Sequence, residues 1–108
     1  MNALPRVALF LLLNSLTTLS MAKTSLVYIA TQDPAKMGIT VAEFDSATGK
    51  LSAPKLIAET RDPAHFSLSN DGAHLYMCNT GTPGGVSAFS VDRKSGALRL
   101  LNYMESKG

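Results

Sequence analysis

The chain has no tryptophan and a single cysteine, and only 6% of its 108 residues are aromatic. One cysteine excludes an internal disulfide, so apolar burial must hold the fold together rather than bridges. Neither sign of charge dominates: ten Lys and Arg stand against eight Asp and Glu, a formal net charge of +2. With no basic stripe along the chain, a nucleic-acid surface built on clustered cations is excluded. No apolar run reaches the ~20 residues that cross a bilayer. No Asp-x-Asp-x-Asp loop for calcium is present, and the glycine-rich stretch from Thr80 to Gly85 precedes a strand pattern rather than a helix, so it is no phosphate loop.

What is present begins with a three-part leader. Met1 to Arg6 carries one positive charge, Val7 to Leu13 is apolar without a break, and Ser20-Met21-Ala22 places small residues where a signal peptidase reads them. That pattern predicts a secretory signal over 1–22, removed after Ala22 to leave 86 residues, with a periplasmic or secreted location and no membrane span after cleavage. A start at Met21 is the alternative, and would make the protein cytoplasmic.

The most informative feature of the remainder is a repeated phrase. Gly38-Ile39-Thr40-Val41-Ala42-Glu43-Phe44-Asp45 with Gly49 returns as Gly85-Val86-Ser87-Ala88-Phe89-Ser90-Val91-Asp92 with Gly96, each position 47 residues on. A period of about 40–50 residues made of short strands marks a propeller blade or a related array, whose units bury their apolar faces only against neighbours. The strand pattern agrees. Runs over 25–31, 39–44 and 51–59 read as three strands, and runs over 64–69, 74–80, 86–91 and 97–104 as four. In each copy an aspartate opens the turn and a glycine five-residue loop position closes it, the carboxylate capping and the glycine taking positive φ. Pro54 cannot donate to a ladder, so its strand belongs at a sheet edge. The fold class is therefore all-β, a propeller fragment of about two blades: an incomplete three-stranded blade over 23–62 and a four-stranded blade over 63–108. Alone, so few repeats should be unstable.

Leu26-Val27-Tyr28-Ile29-Ala30-Thr31, the doubled phrase, Asp62-Pro63, Ser69-Asn70-Asp71-Gly72 with Leu75-Tyr76, and Glu105-Ser106-Lys107-Gly108 together resemble the lactonase family, which includes bacterial 6-phosphogluconolactonase and the fungal carboxymuconate cyclases. The resemblance covers 25–108 and implies a seven-bladed propeller with its ligand site on one face around the central channel. It implies a small-molecule lactone as substrate, no cofactor, and catalytic groups in later blades that this chain does not contain. Two departures stand out: Asn79-Thr80 where the family has Asn-Glu, and His65 where it favours an aromatic. Both positions belong near the ligand face, so the substrate should differ from a sugar phosphate; export argues the same way, because 6-phosphogluconolactone is a cytosolic metabolite. A non-catalytic propeller that binds a ligand or a protein in the envelope is the alternative function.

His65, Asn79 and Thr80 are thus the ligand-face candidates. A turn at Asn70-Asp71-Gly72 would set His65 opposite Cys78, a pair known as a nucleophile arrangement. Cys78 is expected instead to be a small residue in a central, buried strand, since reactive cysteines need an accessible, electropositive setting. His65 is either a polar contact at the channel or a satisfied structural histidine. His74 follows the turn, is expected to face solvent, and lies at the far end of the hairpin from His65, so the two share no metal. Asp33, Asp45, Asp62, Asp71 and Asp92 fall at turn positions, and no metal is expected.

Overall fold

Turn chemistry sets the strands. In the first copy of the phrase the Asp45 carboxylate accepts the Ala47 N–H at 2.9 Å, and the Gly49 N–H reaches the Asp45 carbonyl at 2.8 Å with Gly49 at φ 73°. In the second, Asp92 accepts from Lys94 at 2.9 Å and Ser95 at 3.3 Å, and Gly96, at φ 79°, donates to the Asp92 carbonyl at 2.7 Å. The phrase is one device used twice: a strand, a carboxylate cap and a left-handed glycine that turns the chain back.

The computed structural model describes residues 23–107. The leader over 1–22 lies outside the described residues. The described chain is all strand and turn, in the order β1 (Thr24–Thr31), β2 (Gly38–Asp45), β3 (Lys50–Leu51), β4 (Lys55–Glu59), β5 (Pro63–Leu68), β6 (His74–Asn79), β7 (Gly85–Val91) and β8 (Leu98–Glu105). Two antiparallel sheets result. In the first, β1 pairs with β2, and both β3 and β4 pair with the other side of β2. The single outgoing strand expected over 51–59 is thus split around Ser52, Ala53 and Pro54, at the sheet edge where proline's missing donor costs no ladder bond. The second sheet runs β5-β6-β7-β8, four strands in chain order.

The faces between the sheets form the core. Ile39, Leu75, Met77 and Phe89 are essentially fully buried, with Tyr28, Ala30, Ala58, Phe66, Val91 and Leu98 packed around them. Burying each of the four central side chains is worth about 1.5–3 kcal/mol relative to leaving it in water. Ile39 and Phe89 both come from the repeated phrase. Its first glycine has a packing reason: a Cβ on Gly38 would strike the Ala58 carbonyl, and one on Gly85 the Met104 carbonyl. The outer strand of each sheet crosses this point too closely for any side chain.

The blades are also tied by polar contacts. The Tyr28 hydroxyl donates to the Gly96 carbonyl at 2.8 Å, joining β1 to the turn of the second copy. Burial, reinforced by the nearby Asp92 carboxylate, holds the Tyr28 phenol above its ordinary value. The far face of the second sheet differs. Tyr76, Cys78, Val86 and Met104 lie exposed on it. Cys78 is therefore not buried as expected: alternation puts Met77 and Asn79 toward the first sheet and Cys78 on the side that no described residue covers.

Candidate functional site at the loop end

Strand direction gathers four connections at one end of the molecule: 32–37, 60–62, 80–84 and the segment after β8. Backbone bonds knit them together. The Thr80 N–H donates to the Asp62 carbonyl at 2.9 Å, and the Ser106 N–H to the Gly84 carbonyl at 2.9 Å. Gln32 donates from Nε2 to the Pro63 carbonyl at 2.9 Å. Asp62 takes φ 47°, and Gly81 faces its carboxylate so closely that a Cβ there would lie 2.8 Å from Asp62 Oδ2.

Asn79 is the centre of this network. Its amide Nδ2 donates to Thr60 Oγ1 at 2.7 Å and to the Arg61 carbonyl at 2.6 Å, and its Oδ1 accepts from the Ser87 hydroxyl at 2.7 Å. The Arg61 carbonyl can only accept, which fixes the orientation of the amide. Asn79 is 8% exposed, so both donors and its carbonyl are committed inside the protein. One side chain thereby binds the linker between the sheets to β6 and β7.

The other two candidates are placed differently. Thr80 is exposed next to Asn79, and its hydroxyl donates to the Asp62 carbonyl at 3.3 Å. His65 is exposed on β5, the strand of the second sheet nearest β1, and lies outside the Asn79 network. The expected pairing of His65 with Cys78 does not form. Leu68, Ser67 and Phe66 keep the anticipated register against Leu75, Tyr76 and Met77, but the ladder slips before Pro63, which pairs with Asn79. His65 sits in that irregularity, where the ladder gives it no registered partner. His74 is half-buried rather than open to solvent, its ring stacked near Tyr76 with centroids 6.3 Å apart.

Residues that the sequence marked only as turns and breaks, not as site candidates, complete the loop end. Arg61 donates from Nη2 to the Pro83 carbonyl at 3.1 Å and stands 3.6 Å from the Asp62 carboxylate. The Asp62 N–H points to the Met37 sulfur at 3.0 Å. Lys36, Glu59 and Arg61 border a shallow cavity of about 440 Å³ there. Arg61-Asp62-Pro63 reads in the sequence as a break and Gln32 to Gly38 as a turn region, but neither pattern reveals these contacts. The opposite, turn end has carboxylates of its own. The Ser69 hydroxyl and Ala73 N–H hold Asp71 below the usual carboxylate range, and the Lys94 and Ser95 N–H groups do the same for Asp92. Among the described residues no three His, Cys, Asp or Glu side chains are grouped as metal ligands, and no helix is long and apolar enough to cross a membrane.

Stacked four-stranded sheets, a linker returning from outer to inner strand, and connections gathered at one end define a β-propeller segment. The model of the family described as "Lactonase, 7-bladed beta-propeller" matches residues 26–108, and the chain belongs to that family. It is 34% identical over 67 residues to the 6-phosphogluconolactonase of Bacillus subtilis (strain 168), covering 61% of this chain and 19% of that protein. It also resembles the crystal structure of a Bacteroides uniformis ATCC 8492 protein proposed to be a 6-phosphogluconolactonase, with a TM-score of 0.65 and 28% identity over 81% of this chain and 25% of that one. The chain thus spans about a fifth to a quarter of the length of these relatives.

Proposed function

We propose that these residues work as two consecutive blades of a longer, exported propeller that opens a sugar or related lactone. The observation that carries this reading is the family match, which runs through both sheets from residue 26 to residue 108. The uncovered apolar face of the second sheet supports the longer chain, since a blade's faces are buried by its neighbours. In the reaction water adds to the lactone carbonyl carbon, the ring C–O bond breaks, and a hydroxy acid forms. Donors aimed at the carbonyl oxygen, and a base that orients the water, supply the rate. Those groups belong to the later blades in this proposal. His65 and Thr80 face the ligand from this segment, and Asn79 holds the linker to which Thr80 is bonded.

The residues 1–22 then serve as the export signal, and the substrate is a lactone met in the envelope. The test is a panel of sugar, sugar-phosphate and muconate lactones offered to the full-length protein, beside the 86-residue piece, which should be inert. Ring opening above the buffer rate supports the enzyme. Ligand binding with no turnover on any member would replace it with the non-catalytic scaffold.

A further inference from the structure

The two sheets close on Ile39, Leu75, Met77 and Phe89, and beyond this core, at the loop end, the second sheet and the linker border a cavity. Side chains diminish there. Along β7, Phe89 gives way to Ser87 and then Gly85, while on β6 the Asn79 amide is drawn to the linker. The gap left is an open cavity of about 360 Å³, within the size range of small-molecule sites. Ser87 and Asn79 are its most buried lining residues. Leu100 and Tyr103 of β8 line it from the outer strand, and Arg61 and Pro83 from the loops. None of its lining comes from β5, so it is separate from the inner-strand position of His65. Its walls are the second sheet, the 60–62 linker and the 80–84 loop, all within the described residues.

We propose that this cavity on the second blade binds a small organic acid with a flat apolar body, such as an aromatic carboxylate. Two features select that class. The gap is lined by apolar surface from Leu100, Pro83 and the Tyr103 ring, which lies across Gly85 because that residue has no Cβ. At the same place stands one guanidinium. Arg61 is held by the Pro83 carbonyl at 3.1 Å, and its Nε is turned toward Asp62 at 3.6 Å. A guanidinium has about five N–H donors, so several remain for a ligand carboxylate. The Asp62 contact is long and exposed, and a two-point carboxylate fork displaces it. The acid group therefore meets Arg61 while its ring rests on Leu100 and Tyr103.

The experiment is titration calorimetry of the full-length protein with sodium benzoate and with neutral benzamide. Benzoate should bind saturably, more weakly at high salt, and benzamide about tenfold less well or worse. Arg61→Gln should weaken benzoate about tenfold, and Leu100→Asp should abolish binding by setting a like charge against it. Both side chains are largely exposed, so the variants should keep the parent's circular dichroism spectrum. If Arg61→Gln disturbs the fold, Leu100→Asp alone decides. No saturable benzoate binding, or binding unchanged in Leu100→Asp, overturns the proposal. The readout is heat, not lactone turnover, so failure of the lactonase reading would leave it standing.

Discussion

Replacing Asn79 with alanine separates two roles that its position at the loop end would allow. The structure commits its amide to three hydrogen bonds of 2.6–2.7 Å in a site that is 8% exposed. At about 1 kcal/mol net per bond, with a further ~1–3 kcal/mol where a buried partner such as the Ser87 hydroxyl is stranded, the loss should be about 3 kcal/mol or more. That lowers the folded-to-unfolded ratio by roughly two powers of ten. Urea denaturation of the full-length protein at constant slope measures it. Asn79→Asp sharpens the test through pH. A carboxylate there would face the Arg61 carbonyl, which cannot donate, so its pKa should rise on folding. A raised folded pKa makes the deficit largest at neutral pH; it shrinks as pH falls through that value and is smallest below the unfolded pKa of about 3.9. Asn79→Ala within about 0.5 kcal/mol of the parent, with weakened substrate binding instead, would refute the keystone reasoning and make Asn79 a ligand contact.

Three other outcomes follow from the same geometry. Gly85→Ala should cost more than about 2 kcal/mol, because its Cβ meets the Met104 backbone, whereas Gly49→Ala, with open space around it, should cost only the left-handed strain of about 1–2 kcal/mol; equal losses in denaturation midpoints would contradict this. Tyr28→Phe should lose about 1 kcal/mol with the Gly96 bond. Because the Tyr28 pKa is raised, its contribution is whole below pH 10 and declines as pH climbs from there through the folded value, a decline the Phe variant should lack. Asp92 is shifted the other way, so its contribution is present above the unfolded value of 3.8 and disappears as pH falls through the lower folded value; Asp92→Asn should flatten that part of an acid-unfolding curve.

Local chemistry was legible in the sequence, and contacts between distant segments were not. The 47-residue register marked Asp45 with Asp92 and Gly49 with Gly96, and these pairs cap and turn the chain in the same way because a hairpin loop is decided by residues a few positions apart. Strand spans emerged within a residue or two for the same reason. Gly38 and Gly85 were visible as repeats, but their purpose depends on an outer strand about 20 residues later. Tyr28 and Gly96 are 68 residues apart, and no pattern in either neighbourhood pairs them. His65 failed as a partner for Cys78 through one slip between Pro63 and Phe66, a register change that hairpin counting from the turn cannot contain. Asn79 showed in the sequence as a residue at the loop end, yet its burial depends on Thr60 and Arg61 folding back over it.

The central claim is that this segment belongs to a working lactone-opening propeller. Its most direct test is the rate of acid release when the full-length protein meets the lactone panel. Turnover above the buffer rate, on at least one sugar or muconate lactone, is the predicted result. Rates equal to buffer across the panel, from protein shown to be folded, would contradict it.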